Sequence, residues 1–452
     1  MAGRIDPVPA DVLEGIVKAY DIRGICPDEL GPSAARGIGY AFAEWSGATQ
    51  LVLGRDMRPS GVSLAEAFAS GAQAAGVDVI DIGLASTDLL YFASGHLDLP
   101  GAMLTASHNP AAYNGVKLCG PGAAPVGASS GLADIAQRAA QGAASTAGGG
   151  QRHSRDLLDM FAIHVRSFVD VESLAPLRVV ADTANGMGGY VLPAVFGPLP
   201  FEWELMYGEL DGTFPNHPAD PIQPENLVDL SERVLEIGAD IGLAFDGDAD
   251  RVFLTDERGR AVSGSLLTAL VAQAMLRRCG PGPILHNLIC SRAVPEVITE
   301  AGGQPLRTRV GHSYIKAEMA RTGAAFGGEH SGHYYFADNY RADSGLIAAL
   351  VALEQLSTAA VPLSELLAPL DRYASSGEIN TRVADIDEVL RRVSTRFARY
   401  SQDHLDGLTV DAGDWWFNLR PSNTEPLLRL NLEAPDAEAV AERVSEISAL
   451  LA

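Results

Sequence analysis

The feature that most constrains this chain is a loose internal repeat. Three apolar runs, each ending in polar residues and a turn, stand at LVLGRDMRPSG (51–61), VVADTANGMGG (179–189) and ILHNLICSRAV (284–294). Farther along each unit, a short apolar run enters a polar loop and returns to apolar sequence: AMLTASHNPAAYNGVKL (102–118), IGLAFDGDADRVFLT (241–255) and AAFGGEHSGHYYF (324–336). The intervening stretch has room for one helix and one strand, as in SLAEAFASGAQAAGVDVIDIG (63–83), where an Ala-rich helical pattern precedes an alternating one. Strands alternating with helices imply mostly parallel, helix-covered sheets, with ligand loops at the carboxyl ends of strands.

The run QGAASTAGGGQRHS (141–154) is poor in large apolar residues and reads as a linker, after which LLDMFAIHVRSFV (157–169) has helical spacing. From about residue 372 the repeat is lost: INTRVADIDEVLRRVSTRFARY suggests a strand and a helix, LLRLNLEA a strand, and DAEAVAERVSEISALLA a terminal helix. The expected fold class is α/β. Three similar mixed α/β domains with helix-covered sheets occupy 1–152, 153–256 and 257–371, and a smaller C-terminal α+β domain occupies 372–452.

Composition narrows the function classes. The 452 residues are 47% hydrophobic and 20% charged, as in a globular protein with a sizeable core. Lys and Arg number 33 against 57 Asp and Glu, a net charge of −24 that argues against holding nucleic acid or anionic lipid by bulk attraction. Any anionic ligand must be captured locally. Cys26, Cys119, Cys279 and Cys290 form no CxxC pair, the N-terminus resembles no signal segment, and no apolar run reaches membrane-spanning length. A cytoplasmic protein with free thiols is expected.

Four loops carry chemistry. In Thr105-Ala106-Ser107-His108-Asn109-Pro110, a small nucleophile at a strand-to-loop junction lies beside an imidazole, with Lys117 a short distance on as an acid/base partner or phosphate contact. Alone, the same residues also describe a capped turn. Asp246-Gly247-Asp248-Ala249-Asp250-Arg251 places three carboxylates on alternate residues, which turns their oxygens toward one hard divalent cation. An EF-hand loop does not fit, because its sixth position needs glycine and here is Arg251, and VFLTD continues as a strand. Three clustered carboxylates repel unless neutralised, and Arg251 supplies a single charge.

Gly327-Gly328-Glu329-His330-Ser331-Gly332-His333 offers paired donors and acceptors suited to sugar hydroxyls. A zinc site from His330 and His333 is the competing reading, with Glu329 the only other local ligand. Arg420-Pro421-Ser422-Asn423-Thr424-Glu425-Pro426 combines a guanidinium fork, hydroxyls, an amide and turn N–H groups, a phosphate cradle without a Walker pattern. Together, nucleophile, cation ligands, hydroxyl readers and phosphate clamp describe phosphoryl transfer on a phosphosugar.

These loops, from KAYDIRG (18–24) to RPSNTEP (420–426), resemble in order those of the α-D-phosphohexomutase superfamily, in its phosphomannomutase/phosphoglucomutase branch. The resemblance implies four domains around a central cleft, with Ser107 as the phosphoserine. It implies Mg²⁺ held by Asp246, Asp248, Asp250 and an oxygen on Ser107. Glu329 and Ser331 would read sugar hydroxyls, while Arg420, Ser422, Asn423 and Thr424 would grip the distal phosphate. Tyr20, Arg23, His108, Lys117, Arg251, His312, Lys316 and His333 would complete the cleft. The implied activity interconverts mannose 6-phosphate and mannose 1-phosphate, and glucose phosphates as well, through a 1,6-bisphosphosugar that also serves as activator. Hexose phosphates are the implied partners, with no nucleic acid or membrane. The alternatives are a phosphoglucosamine mutase and a non-catalytic phosphosugar-binding protein of the same fold. GEHSGH at 328–333, where phosphoglucosamine mutases tend to show GEQSGH, favours hexose; HNLICSR at 286–292 departs from a DxKxSR pattern, with Ile289 at the basic position.

Overall fold

A computed structural model describes residues 4–144, 149–421 and 427–451. The chain forms two compact units, one of residues 1–263 with 331–366, the other of 264–330 with 367–452.

In the first unit, the LVLGRD run is the strand Gln50–Arg55, buried on four successive residues as a central parallel strand must be. It pairs in parallel with Asp78–Leu84 on one side and Gly101–Leu104 on the other. Antiparallel strands Tyr113–Gly120 and Ile22–Ile25 extend that edge, and the helices Pro32–Ser46 and Gly61–Ala74 contribute Phe42 and Phe68 to the core. The 141–154 run is more than a linker. Its last residues form the strand Arg152–Ser154, parallel to Asp78–Leu84, with the Arg152 guanidinium 2.5 Å from the Asp81 carboxylate.

A second sheet follows in the same unit, in the order Ala261–Val262, Val252–Asp256, Ile241–Phe245, Arg178–Asp182, Glu202–Met206. Ile241–Phe245 and Val252–Asp256 are antiparallel neighbours buried at every position, so the DGDAD loop joining them emerges from a rigid base.

The second unit contains the parallel strands Gln304–Thr308, Pro283–Asn287 and Phe326–Gly328. It also contains an antiparallel sheet in the order Ala374–Arg382, Leu427–Ala434, Trp416–Pro421, Leu408–Asp411, Ser401–Asp403. The amphipathic helices Ile386–Arg396 and Ala437–Ser448 cap its core through Val389, Val393, Val440 and Ile447. Among the described residues no helix is long and apolar enough to cross a membrane, and the four cysteines are free thiols.

Candidate active site

Ser107 follows the strand Gly101–Leu104 and is almost fully buried. Its φ of 51° is left-handed, an uncommon conformation for a residue with a Cβ and one that the surroundings must hold. The Ser107 N–H donates to Thr105 Oγ1 at 2.9 Å, and its hydroxyl donates to Asp246 Oδ2 at 2.7 Å. That approach needs Gly247, since a Cβ there would lie 2.4 Å from the Ser107 carbonyl oxygen. His108 Nδ1 lies 3.2 Å from Ser107 Oγ. Burial, then the Arg251 and Arg23 charges, hold that imidazole well below its ordinary pKa.

The three carboxylates of the DGDAD loop converge, with Asp246, Asp248 and Asp250 each offering a ligand oxygen within 4.8 Å of the others. Lys117 Nζ donates to Asp248 Oδ2 at 2.7 Å and to Asp250 Oδ2 at 2.5 Å. Burial alone would lower the Lys117 ammonium, but Asp248 and Asp250 outweigh it and hold its pKa above the ordinary value. The same contacts overcome the burial of Asp248 and, with the Thr87 hydroxyl donating at 2.5 Å, keep that carboxylate below its usual range. Asp246 is pushed the other way, well above its range, first by burial and then by its two acidic neighbours. The Lys117 ammonium and the Arg251 guanidinium beside Asp246 are two positive charges against three carboxylates, which leaves the trio short of positive charge. Asp248 Oδ1 and Asp250 Oδ1, both buried, have no hydrogen-bond partner, so the donor set and its charge fit a hard divalent cation.

Around this trio, Arg251 Nε lies 3.6 Å from Asp246 Oδ2, and the Arg251 main-chain N–H donates to Asp246 Oδ1 at 3.2 Å. Arg23 Nε donates to Asp21 at 2.8 Å, and its Nη1 reaches the Asn109 side chain on the serine loop. Tyr20 is half-buried in the bend before the Arg23 strand. His333 pairs with Asp343, Nδ1 to Oδ2 at 2.9 Å, and sits 3.9 Å from Asp250 Oδ1. Ser331 occupies the preceding turn, half-buried. Ser107, His108, Lys117, Arg23, Asp246, Asp248, Asp250, Arg251 and His333 thus meet in the first unit.

In the second unit, Glu329 is buried just past the strand Phe326–Gly328, where Oε1 accepts from Asn287 Nδ2 at 3.2 Å and from the Gly311 N–H at 3.0 Å. Lys316 is buried on the helix His312–Thr322; the His312 side chain lies outside the described residues. Arg420 is buried at the end of the strand Trp416–Pro421, 3.6 Å from Glu378. Ser422, Asn423 and Thr424 lie outside the described residues. Ile289, at the position where the resemblance calls for a base, is buried. The sequence reading missed Arg58, Thr87 and Asp343. GRDMR at 54–58 carried a signal, a basic and an acidic residue beside a strand end, whereas Thr87 and Asp343 had none.

Most of the chain matches the four sequence models of one family. Phosphoglucomutase/phosphomannomutase α/β/α domains I, II and III match residues 14–145, 159–259 and 263–373, and its C-terminal domain matches 378–450. The class is therefore phosphohexomutase, an isomerase that moves a phosphoryl group within its substrate. The chain belongs to the phosphoglucomutase/phosphomannomutase family. It is 41% identical over 443 residues to the phosphohexose mutases protein of Xanthomonas campestris pv. campestris, covering 96% of this chain and 98% of that one. It is 40% identical over 447 residues to the phosphomannomutase of Salmonella montevideo, with the same coverage. A solved phosphoglucomutase/phosphomannomutase family protein from Burkholderia thailandensis superposes with a TM-score of 0.88 at 33% identity, over 97% of each chain.

Proposed function

We propose that this chain is a phosphomannomutase that also accepts glucose phosphates, working through phospho-Ser107 and a 1,6-bisphosphosugar. The observation that carries the reading is the Ser107 hydroxyl 2.7 Å from Asp246, inside a trio of buried carboxylates of which Lys117 holds the other two. A protein that only bound phosphosugars would have no use for a strained nucleophile beside cation ligands. The phosphomannomutase relatives near 40% identity, which the chain matches over 96% of its length, support the choice of hexose.

Asp246, Asp248 and Asp250 would hold Mg²⁺, which when bound offsets charge on the transferring phosphoryl group. The residues of the chain do the rest. In the first half-reaction the bond from phosphorus to Ser107 Oγ breaks and one to a sugar hydroxyl oxygen forms; Oγ gains a proton and the hydroxyl loses one. The bisphosphosugar turns and returns its other phosphate to Oγ. Arg23 and Arg251 add positive charge near Ser107 and Asp246. Asp343 occupies His333 Nδ1, leaving Nε2 as the ring atom free to move a proton. Glu329 and Ser331 read sugar hydroxyls, and Arg420 with Ser422, Asn423 and Thr424, aided by Tyr20, His312 and Lys316, grips the non-reacting phosphate.

Intact mass tests the reading. Incubation with glucose 1,6-bisphosphate and Mg²⁺ adds one phosphoryl group to the wild type and none to Ser107→Ala. Steady-state kcat/KM on mannose 1-phosphate, glucose 1-phosphate and glucosamine 1-phosphate then ranks substrates. A preference for glucosamine 1-phosphate replaces the hexose reading, and an unmodified, inactive wild type leaves a binding protein.

A further inference from the structure

Arg58 has no exposed surface, and all five of its guanidinium donors are engaged. Nε donates to Asp56 Oδ2 at 3.2 Å. The other four donors go to main-chain carbonyls of a single loop: Nη1 to Pro110 and Tyr113, both at 2.9 Å, and Nη2 to Ser107 at 2.8 Å and Asn109 at 2.6 Å. Asp56 is bonded in turn by the Arg58 N–H at 2.9 Å, and on the serine loop itself the Thr105 hydroxyl oxygen accepts from the Ser107 N–H. Residue 107 is therefore fixed from both sides, its carbonyl by the guanidinium and its N–H through Thr105. The clamp is also covered. A Cβ on Gly212 would lie 2.6 Å from Arg58 Cα, and the Phe214 ring centre lies 5.1 Å from the guanidinium carbon.

A buried charge that only filled space would be replaceable by a hydrocarbon at little cost. This one spends four of its five bonds on the backbone that carries a left-handed Ser107. We infer that Arg58, braced by Asp56, is a positioning residue that, with Thr105 holding the Ser107 N–H, sets the Ser107 backbone so that Oγ points at Asp246. The inference rests on the reading of Ser107 as the phosphoryl carrier. A lysine at 58 has three donors and so leaves at least two of the five acceptors unmet.

The test uses the full chain with Arg58→Ala, Arg58→Lys and Thr105→Val, and reads amide hydrogen exchange over 105–113 alongside serine phosphorylation by glucose 1,6-bisphosphate. Exchange in the loop is expected to accelerate in both Arg58 variants. Phosphorylation and kcat are expected to fall about 100-fold, the scale of a reacting atom misplaced by 1 Å, while KM for the hexose phosphate stays within about threefold. Millimolar guanidinium should restore both loop protection and phosphorylation in Arg58→Ala, and methylammonium should restore neither. Thr105→Val, nearly isosteric and free of the buried-charge problem, should lower kcat at unchanged KM even if Arg58→Ala fails to fold. Unchanged loop exchange and kcat in Arg58→Lys or Thr105→Val overturns the clamp, as does guanidinium restoring protection without phosphorylation. A wild type that takes up no phosphoryl group, yet whose variants lose loop protection, overturns the proposed function and supports the clamp.

Discussion

Lys117→Met, which keeps the length of the side chain and removes its charge, tests the electrostatic account of the site most directly. The ammonium lies 2.7 and 2.5 Å from two carboxylates whose side chains are 0% and 1% exposed, while its own side chain is 10% exposed. Both contacts are shielded from water, so they belong with buried ion pairs, where removing one partner costs about 3–5 kcal/mol because the other charge is left uncompensated. Two stranded carboxylates, with Asp246 beside them, place the variant at the upper end. At roughly 2–4 °C per kcal/mol for a large domain, metal-free protein should melt about 10–20 °C below wild type. Added Mg²⁺ should then do more for the variant than for the wild type, since the cation replaces a charge that the wild type already has. Scanning calorimetry in EDTA and in excess MgCl₂ measures both terms. A metal-free variant that melts with the wild type, or one that gains no more from Mg²⁺ than the wild type does, would refute the claim that Lys117 offsets charge in a cation site.

Further expectations follow from other contacts. Burial lifts Asp88 to about 7, with the Ser86 and Ser344 hydroxyls donating to it and Asp250 adding to the rise. A carboxyl with a raised folded pKa contributes proton-linked stability that is full below about 4, the unfolded value, and lost as pH rises through about 7. Melting curves should therefore show Asp88→Asn gaining on the wild type between pH 5 and pH 8, and a constant difference would contradict the assignment. Gly247→Ala forces a Cβ against the Ser107 carbonyl oxygen at 2.4 Å, so kcat should drop about 100-fold with KM for mannose 1-phosphate little changed; full activity would mean the two loops are not packed as described. Asp248→Asn should lower kcat far more than hexose-phosphate affinity by calorimetry, because the cation acts on the transferring group; equal losses would count against it. Asp343→Asn replaces the anionic acceptor at His333 Nδ1 with a neutral amide and should reduce kcat, while loop exchange over 105–113 stays as in the wild type.

Why some of this was legible in the sequence and some was not follows from the kind of bond involved. The repeat could be read because a strand buried on both faces needs a continuous apolar run, as in Ile241–Phe245, and because the polar loop after it interrupts the run abruptly. The trio at 246, 248 and 250 was visible because its chemistry is compressed into five residues. Thr87 and Asp343 were not, since a threonine that donates to Asp248 from 161 positions away leaves no local pattern. The strand Arg152–Ser154 was hidden for a related reason: it is exposed at all three positions, so its composition is that of a linker, and only pairing with Asp78–Leu84 makes it a strand. Arg58 marks the deeper limit. Its partners are carbonyl oxygens, which every residue carries, so no choice of side chain at 107, 109, 110 or 113 announces them. Groups that do chemistry sign themselves in sequence, while groups that hold the backbone around them do so only when that backbone is folded.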